Sequence, residues 1–360
     1  MANSTKTTHA TAQGSEFLIF TGTRIVGGLV IAAALIWVFM KIIGFINPDT
    51  SGHPSEIIHS FESNDTGTPS ETSAYDTQAA LAEKSSSNAA PHESETAAAP
   101  NLHSAPAQSV PAGTALVEAL MAPIRYELEE RFWGWRPNDV IQFTDNVNEF
   151  QLGVLEVTRR AATRLTENIS RTGSTATINK HLERAMNSFM IRADSFMIPS
   201  AESSYAEAIE NLERYKEQLI RNEATFYNRP DNLIPLLQAL EELLGSCDEN
   251  LVKKTLDNGD PVSTFMADNY YYYAKGVASA MLPILYAIQT DFSKVLEVRN
   301  SDEVLHHAIE ACHHASEMKP WLFVTESNPN GIFANHRANM ASAISHARFY
   351  MGLLVVSLST

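Results

Sequence analysis

The sequence predicts an all-α protein, a multi-helix bundle domain behind a single N-terminal transmembrane helix and a disordered tether. Three observations lead there. An apolar run near the start is long enough to cross a bilayer; a stretch of Ser, Thr, Ala, Pro and acid follows it; from Ala115 onward apolar residues recur at helical spacing. Period-two alternation, the mark of a half-buried strand, is convincing nowhere. The chain has 360 residues, 44% of them hydrophobic, enough for one sizeable core.

Residues 1–24 form a short N-terminus. From Ile25 the chain reads IVGGLVIAAALIWVFM, then Lys41, then IIGFI, which is about 22 residues against a hydrocarbon core of ~30 Å. We read 25–47 as one membrane span. Lys41 lies near its far end, where its stem reaches the headgroups, and Trp37 and Phe45 suit the interface. Lys6 and Arg24 precede the span while Asp49, Glu56, Glu62 and Asp65 follow it, so the charge bias keeps residues 1–24 in the cytoplasm and exports the rest. A cleaved signal peptide is the competing reading. Its apolar region runs only roughly 7–15 residues and ends in a small-residue cleavage site, which FINPDTSGHPS lacks.

Residues 48–114 carry nine acids against Lys84, with Phe61 and Tyr75 as their only aromatics. Such a segment cannot bury enough apolar surface to offset chain entropy. As a flexible tether of this length it has a root-mean-square reach of roughly 45 Å. A cytoplasmic linker of inverted topology is the alternative, and the charge bias speaks against it.

Residues 115–360 read as one all-helical periplasmic domain of about seven or eight helices, with no solenoid repeat. Val140, Phe143, Val147, Phe150, Val154, Val157, Ala161 and Leu165 form one stripe over 140–169. Ala208, Leu212, Tyr215 and Leu219 repeat the pattern over 203–226, with Glu210 and Arg214, then Glu217 and Arg221, spaced to pair on the wet face. Met340, Ile344, Ala347, Met351 and Leu354 mark a buried terminal helix. Turn signals separate the segments, among them GWRPND at 134–139, MIPSAESS at 197–204 and NRPDN at 228–232. The segment 270–289, YYYYAKGVASAMLPILYAIQ, is apolar almost all round. It reads as either the centre of the bundle or a second span.

Chemistry is sparse. The 26 basic residues form no dense stripe, so nucleic acid is excluded as a partner. Two cysteines, Cys247 and Cys312, allow no zinc spacing and no disulfide framework; a buried structural thiol is the reading for Cys312 and one long-range bridge the alternative. No HExxH, GxSxG, Walker loop or GxGxxG in strand–helix context is present. Residues 301–319, SDEVLHHAIEACHHASEMK, contain Glu303-x-x-His306 and Glu310-x-x-His313, a spacing that helical di-iron proteins use. Here the histidines and glutamates fall within about 120° of one another while Val304, Leu305, Ala308, Ile309, Cys312 and Ala315 fill the other side. They therefore face solvent. A surface transition-metal site of His306, Glu310 and His313 is one expectation for this stripe, proton-dependent binding of a partner another, and a solvated face the bland one. Glu127, Glu129 and Glu130 beside Arg125 and Arg131 read as a solvated helix face. In WGWRPND at 133–139, Trp133, Trp135 and Arg136 are candidates for docking a partner, against capping by Asp139 plus packing.

Four segments, EFQLGVLEVTRR at 149–160, PSAESSYAEAIENLERY at 199–215, ATFYNRPDNL at 224–233 and DNYYYYAKGVASAMLPIL at 268–285, resemble the bacterial membrane-anchored proteins grouped as DUF2333. The likeness runs from about Glu118 to Phe349. It implies a Gram-negative inner-membrane protein with an exported helical domain, and brings no activity or catalytic residue with it. The acidic tether and the histidine stripe look particular to this chain. The expectation is a non-enzymatic envelope protein, single-pass in the inner membrane and touching the bilayer through residues 25–47, whose periplasmic domain is a scaffold or assembly module for an envelope protein partner. The alternatives are a periplasmic ligand- or metal-binding module using 303–317, or a hydrolase whose site leaves no spacing signal.

Overall fold

The computed structural model describes residues 111–139, 145–171, 173, 175–320, 324 and 335–360. The predicted anchor at 25–47 and the tether up to residue 110 lie outside the described residues, as do Val140 and Phe143 of the first stripe. Among the described residues the chain is helical and without strands. Its helices are α1 (Thr114–Arg125), α2 (Asn146–Arg164), α3 (Lys180–Phe189), α4 (Ala201–Ile220), α5 (Pro230–Val252), α6 (Thr264–Asp291), α7 (Ser293–Val298), α8 (Asp302–Glu317) and α9 (His336–Ser359). α1 and α2 each end in a π-helical turn, Tyr126–Glu130 and Leu165–Ile169.

α6 is the axle of the bundle. It packs against α1, α2, α5, α8 and α9, which is why a helix apolar on every side is stable here and why 270–289 is a core helix. Its crossing with α2 is backbone on backbone. A Cβ added to Gly276 would lie 2.0 Å from the Phe150 carbonyl oxygen, and one on Gly153 would lie 2.3 Å from that of Tyr273. Only hydrogen at both positions permits that approach. The other large contacts are α3 with α4, and α9 with α5 and α8, while α1 also meets α2 and α4, and α2 also meets α3 and α5. Every described residue of the three predicted stripes is buried.

Two buried charges close the ends of helices across the fold. Asp291, at the end of α6, accepts hydrogen bonds from the backbone N–H groups of Gly113 and Leu116, both at 2.8 Å, and so caps α1, which has no side-chain cap of its own. Burial holds the Asp291 carboxyl above its ordinary pKa while those two N–H groups pull it down. Arg337, buried on α9, donates to the carbonyls of Asn250 (2.8 Å) and Lys253 at the C-terminus of α5, where a cation is favoured. Cys247 and Cys312 are both free and buried, and burial pushes both thiols up to about 12. The disulfide alternative is not realised.

By length and composition one described helix, α9, is apolar enough to cross a membrane. Met340, Ile344, Ala347, Met351 and Leu354 nevertheless face the core, and Phe349, Leu353 and Val356 are exposed on its other side.

Candidate functional site

The π turn after α1 ends in a buried ion pair. Arg131 Nη2 donates to Glu127 Oε1 at 2.8 Å and Arg131 Nε to Glu127 Oε2, and the guanidinium lies 5.2 Å from the centre of the Phe150 ring. Glu127 is fully buried, which corrects its expected place on a solvated face; Glu129 and Glu130 are exposed as expected. Gln151 of α2 completes the arrangement. Its Nε2 donates to Glu127 Oε2 at 3.0 Å and to the Gly134 carbonyl at 2.9 Å, and its Oε1 accepts from the Arg136 backbone N–H at 2.9 Å. Every polar atom of the Gln151 amide that these bonds use is thereby spent on fixing the 131–139 loop.

That loop is locked in turn to the loop between α3 and α4. Trp135 Nε1 donates to the Ala193 carbonyl at 2.9 Å, with its ring edge-on to Tyr205 at 5.2 Å. Asn138 Nδ2 donates to the Ser195 carbonyl at 3.2 Å and to Glu202 Oε2 at 2.9 Å. From below, Arg159 donates to the carbonyls of Phe189 and Ile191, both at 2.7 Å, and the Tyr205 hydroxyl also donates to Ile191 at 2.8 Å. Hydrogen bonds thus join the two loops to each other and to the helices beneath.

What the two loops present outward is largely apolar, with the exposed Arg192–Asp194 ion pair beside it. Phe132 is 78% and Trp133 58% exposed, and Met190, Phe196, Met197 and Ile198 are exposed on the second loop, beside an open concavity of about 470 Å³ along 191–199. Trp133 and Gly134 both take left-handed backbone, with φ of 76° and 63°. For a bulky aromatic that conformation is a real outlier, at a cost of about 1–3 kcal/mol that the surrounding network must hold. Of the three predicted docking residues, only Trp133 is exposed. Trp135 is 2% exposed and packed in the core, and Arg136 is buried beneath the loop, so neither can meet a partner. Phe132 and the 190–198 side chains were not foreseen. The FMI run at 196–198, beside a Pro, was the available signal.

The histidine stripe is built differently. The predicted faces hold: Leu305, Ala308, Ile309, Cys312 and Ala315 are buried. On the outer face His306 Nε2 lies 3.4 Å from Glu310 Oε1, His307 Nδ1 3.1 Å from Glu310 Oε2, and His313 Nε2 3.5 Å from Glu317 Oε1. His307 also stacks on Tyr350 of α9 at 4.9 Å. His306, Glu310 and His313 do not converge, because His313 turns to Glu317, and among the described residues no three His, Cys, Asp or Glu side chains form a group suited to a metal ion. The expected metal site therefore lacks its geometry.

A family model described as "Uncharacterized protein conserved in bacteria (DUF2333)" matches residues 80–351. The chain belongs to this family. No curated protein and no solved structure matches it. The DUF2333 match takes in both loops, α8 and most of α9, together with a third feature at the opposed ends of α2 and α6.

There Asp145 and Glu149 meet the Asn269 amide, and Asp268 lies close enough to feel the Asp145 charge. The Asn269 amide donates to Asp145 Oδ2 (2.8 Å) and the Phe265 carbonyl (2.9 Å) in the orientation that satisfies both its ends, and its other terminus lies 3.5 Å from Glu149 Oε1. In that orientation the amide oxygen faces Glu149, where a neutral carboxyl is the matching donor. Burial first and the Asp145 charge second push Glu149 and Asp268 each up to about 7. Like charges at i,i+4 in Asp145 and Glu149 were the sequence signal for it; Asp268 is brought in only by the α2–α6 crossing.

Proposed function

We propose that this DUF2333 chain is a non-enzymatic envelope protein, anchored in the inner membrane through residues 25–47, whose exported helical domain serves as a scaffold or assembly module by docking a protein partner on the 131–139 and 190–200 loops. The observation that carries this reading is the pairing of exposed Phe132, Trp133, Phe196, Met197 and Ile198 with a buried hydrogen-bonded base that leaves the loops little freedom. Preorganised aromatic and methionine side chains are what a binding hot spot uses, since their ordering entropy is already spent. The roughly 45 Å reach of a flexible tether gives such a surface room to find a partner above the bilayer.

A photo-crosslinking residue placed in cells at position 197, and separately at 306 on the outer face of α8, tests it. One discrete adduct from position 197, absent from 306 and lost when Phe196→Asp is added, is the expected result. No adduct at 197, or the same products from both positions, overturns the docking reading. The topology is tested by a reporter fused after Thr114 that is active only when exported; activity confined to the cytoplasmic state overturns the orientation.

A further inference from the structure

The apolar display of the two loops is edged with carboxylates. Glu129 and Glu130, exposed on the π turn, lie just before Phe132 and Trp133, and Asp139 closes the same loop half-buried. Glu202, exposed in the first turn of α4, stands at the seam, because the Asn138 amide that donates to it also bonds the Ser195 carbonyl of the second loop. Among the described residues no cation pairs with any of these acids. The bases of the same loops are engaged elsewhere. Arg131 is buried against Glu127, and Arg192 makes a two-armed pair with Asp194 at 3.0 and 2.6 Å, so each is neutralised in place; Arg136 lies buried beneath its loop. An apolar centre thus has an acidic rim.

Charge at the edge of an interface speeds encounter with the opposite sign and penalises the like sign, while apolar contact at the centre supplies most of the binding. The rim therefore selects against three occupants. The anionic surface of a bilayer is repelled. So are residues 48–114 of this chain, with nine acids against Lys84. A second copy offering the same face would set carboxylate against carboxylate. From the acidic rim around the apolar centre we infer that the loops take a protein segment whose apolar residues are flanked by lysine or arginine. Its apolar side chains meet Phe132, Trp133, Phe196 and Met197 and enter the open concavity along 191–199, and its basic ones meet Glu129, Glu130 and Glu202. This inference rests on the docking reading above and adds to it the sign of the partner's charge.

The crosslink from position 197, formed in cells by the full chain, reads this directly. Charge reversal by Glu129→Lys with Glu130→Lys should lower the yield of that adduct at least about threefold, and Glu129→Gln with Glu130→Gln should lower it by less, since the effect follows charge. Glu303→Lys with Glu310→Lys, on the outer face of α8, should leave the yield unchanged. All of these positions are exposed, and thermal unfolding of each variant at the parent's midpoint shows that the fold is retained. Peptide mapping of the adduct should find Lys or Arg beside the crosslinked residue of the partner. An adduct whose yield survives reversal at Glu129 and Glu130, or one that maps to a segment without bases, overturns this inference and leaves the docking reading in place. A phospholipid adduct, or none at all, overturns both.

Discussion

The two-loop body and the outer face of α8 are each dense in residue types that often carry function, yet they are held in opposite ways. On the loops the main polar contacts reach across the fold: Gln151 of α2 bonds Glu127, Trp135 bonds Ala193 and Asn138 bonds Ser195, with Arg131 pairing Glu127 from within the same turn. On α8 the histidines pair with glutamates of their own helix, in water. A cross-chain network fixes what lies above it, so six apolar side chains can be displayed without collapsing. Local pairs on an exposed helix fix nothing beyond their own rotamers, and such pairs contribute little to stability.

The sharpest way to break this contrast is to remove one partner of the buried pair. Arg131→Met leaves Glu127 charged and buried, and should cost about 3–5 kcal/mol in denaturant unfolding while also abolishing crosslinks from position 197. A loss under about 1 kcal/mol would mean that the loops are held by packing alone. Carboxylates carry the contrast further. Glu149 and Asp268, held near 7 against ordinary values near 4, bind protons in the folded state that the unfolded chain has released. Their contribution to stability is therefore complete below about pH 4 and declines as pH rises to about 7, on the order of 1 kcal/mol once their partial exposure is allowed for. Double substitution Glu149→Gln, Asp268→Asn should flatten that slope in unfolding measured between about pH 5 and 8; an unchanged slope would place its source elsewhere.

Trp133→Gly has the opposite sign. Relief of left-handed backbone at an exposed position should stabilise the domain by roughly 0.5–1 kcal/mol while weakening the crosslink at 197, and a destabilised variant would show that the exposed indole packs for structure. The smallest effect belongs to α8. His306→Ala and His313→Ala should each stay within about 0.5 kcal/mol of the parent in thermal unfolding, and a larger loss would break the distinction between the two regions.

The periodic elements were legible in the sequence because burial on a helix is a one-dimensional signal. Val147 to Leu165, Ala208 to Leu219, Met340 to Leu354 and both faces of α8 all fell where their spacing put them. The turn at 131–139 was not, since no period governs it. Trp133 and Trp135 differ in sequence context by two positions and in exposure by 58% against 2%, a difference made by two consecutive left-handed residues and by an acceptor at Ala193. Glu127 was misread for a related reason. A carboxylate near a helix end is ordinarily solvated, and its burial here is offset by the Arg131 guanidinium together with Gln151, which arrives from the next helix.

The sequence alone, through its 3.6-residue periodicity, determined the all-α class, the core faces of the helices and the outward histidines; four of its segments, by their likeness rather than their period, pointed to DUF2333. Tertiary structure decided the rest: that α6 is surrounded, that Asp291 caps α1, that two loops lock together, that Asp145 and Glu149 meet at Asn269 with Asp268 nearby, and that Tyr271, Lys319 and His336 line one cavity. Each of these joins residues from separate segments. Periodicity reports which side of a helix seeks the interior, but not which neighbour will be waiting there.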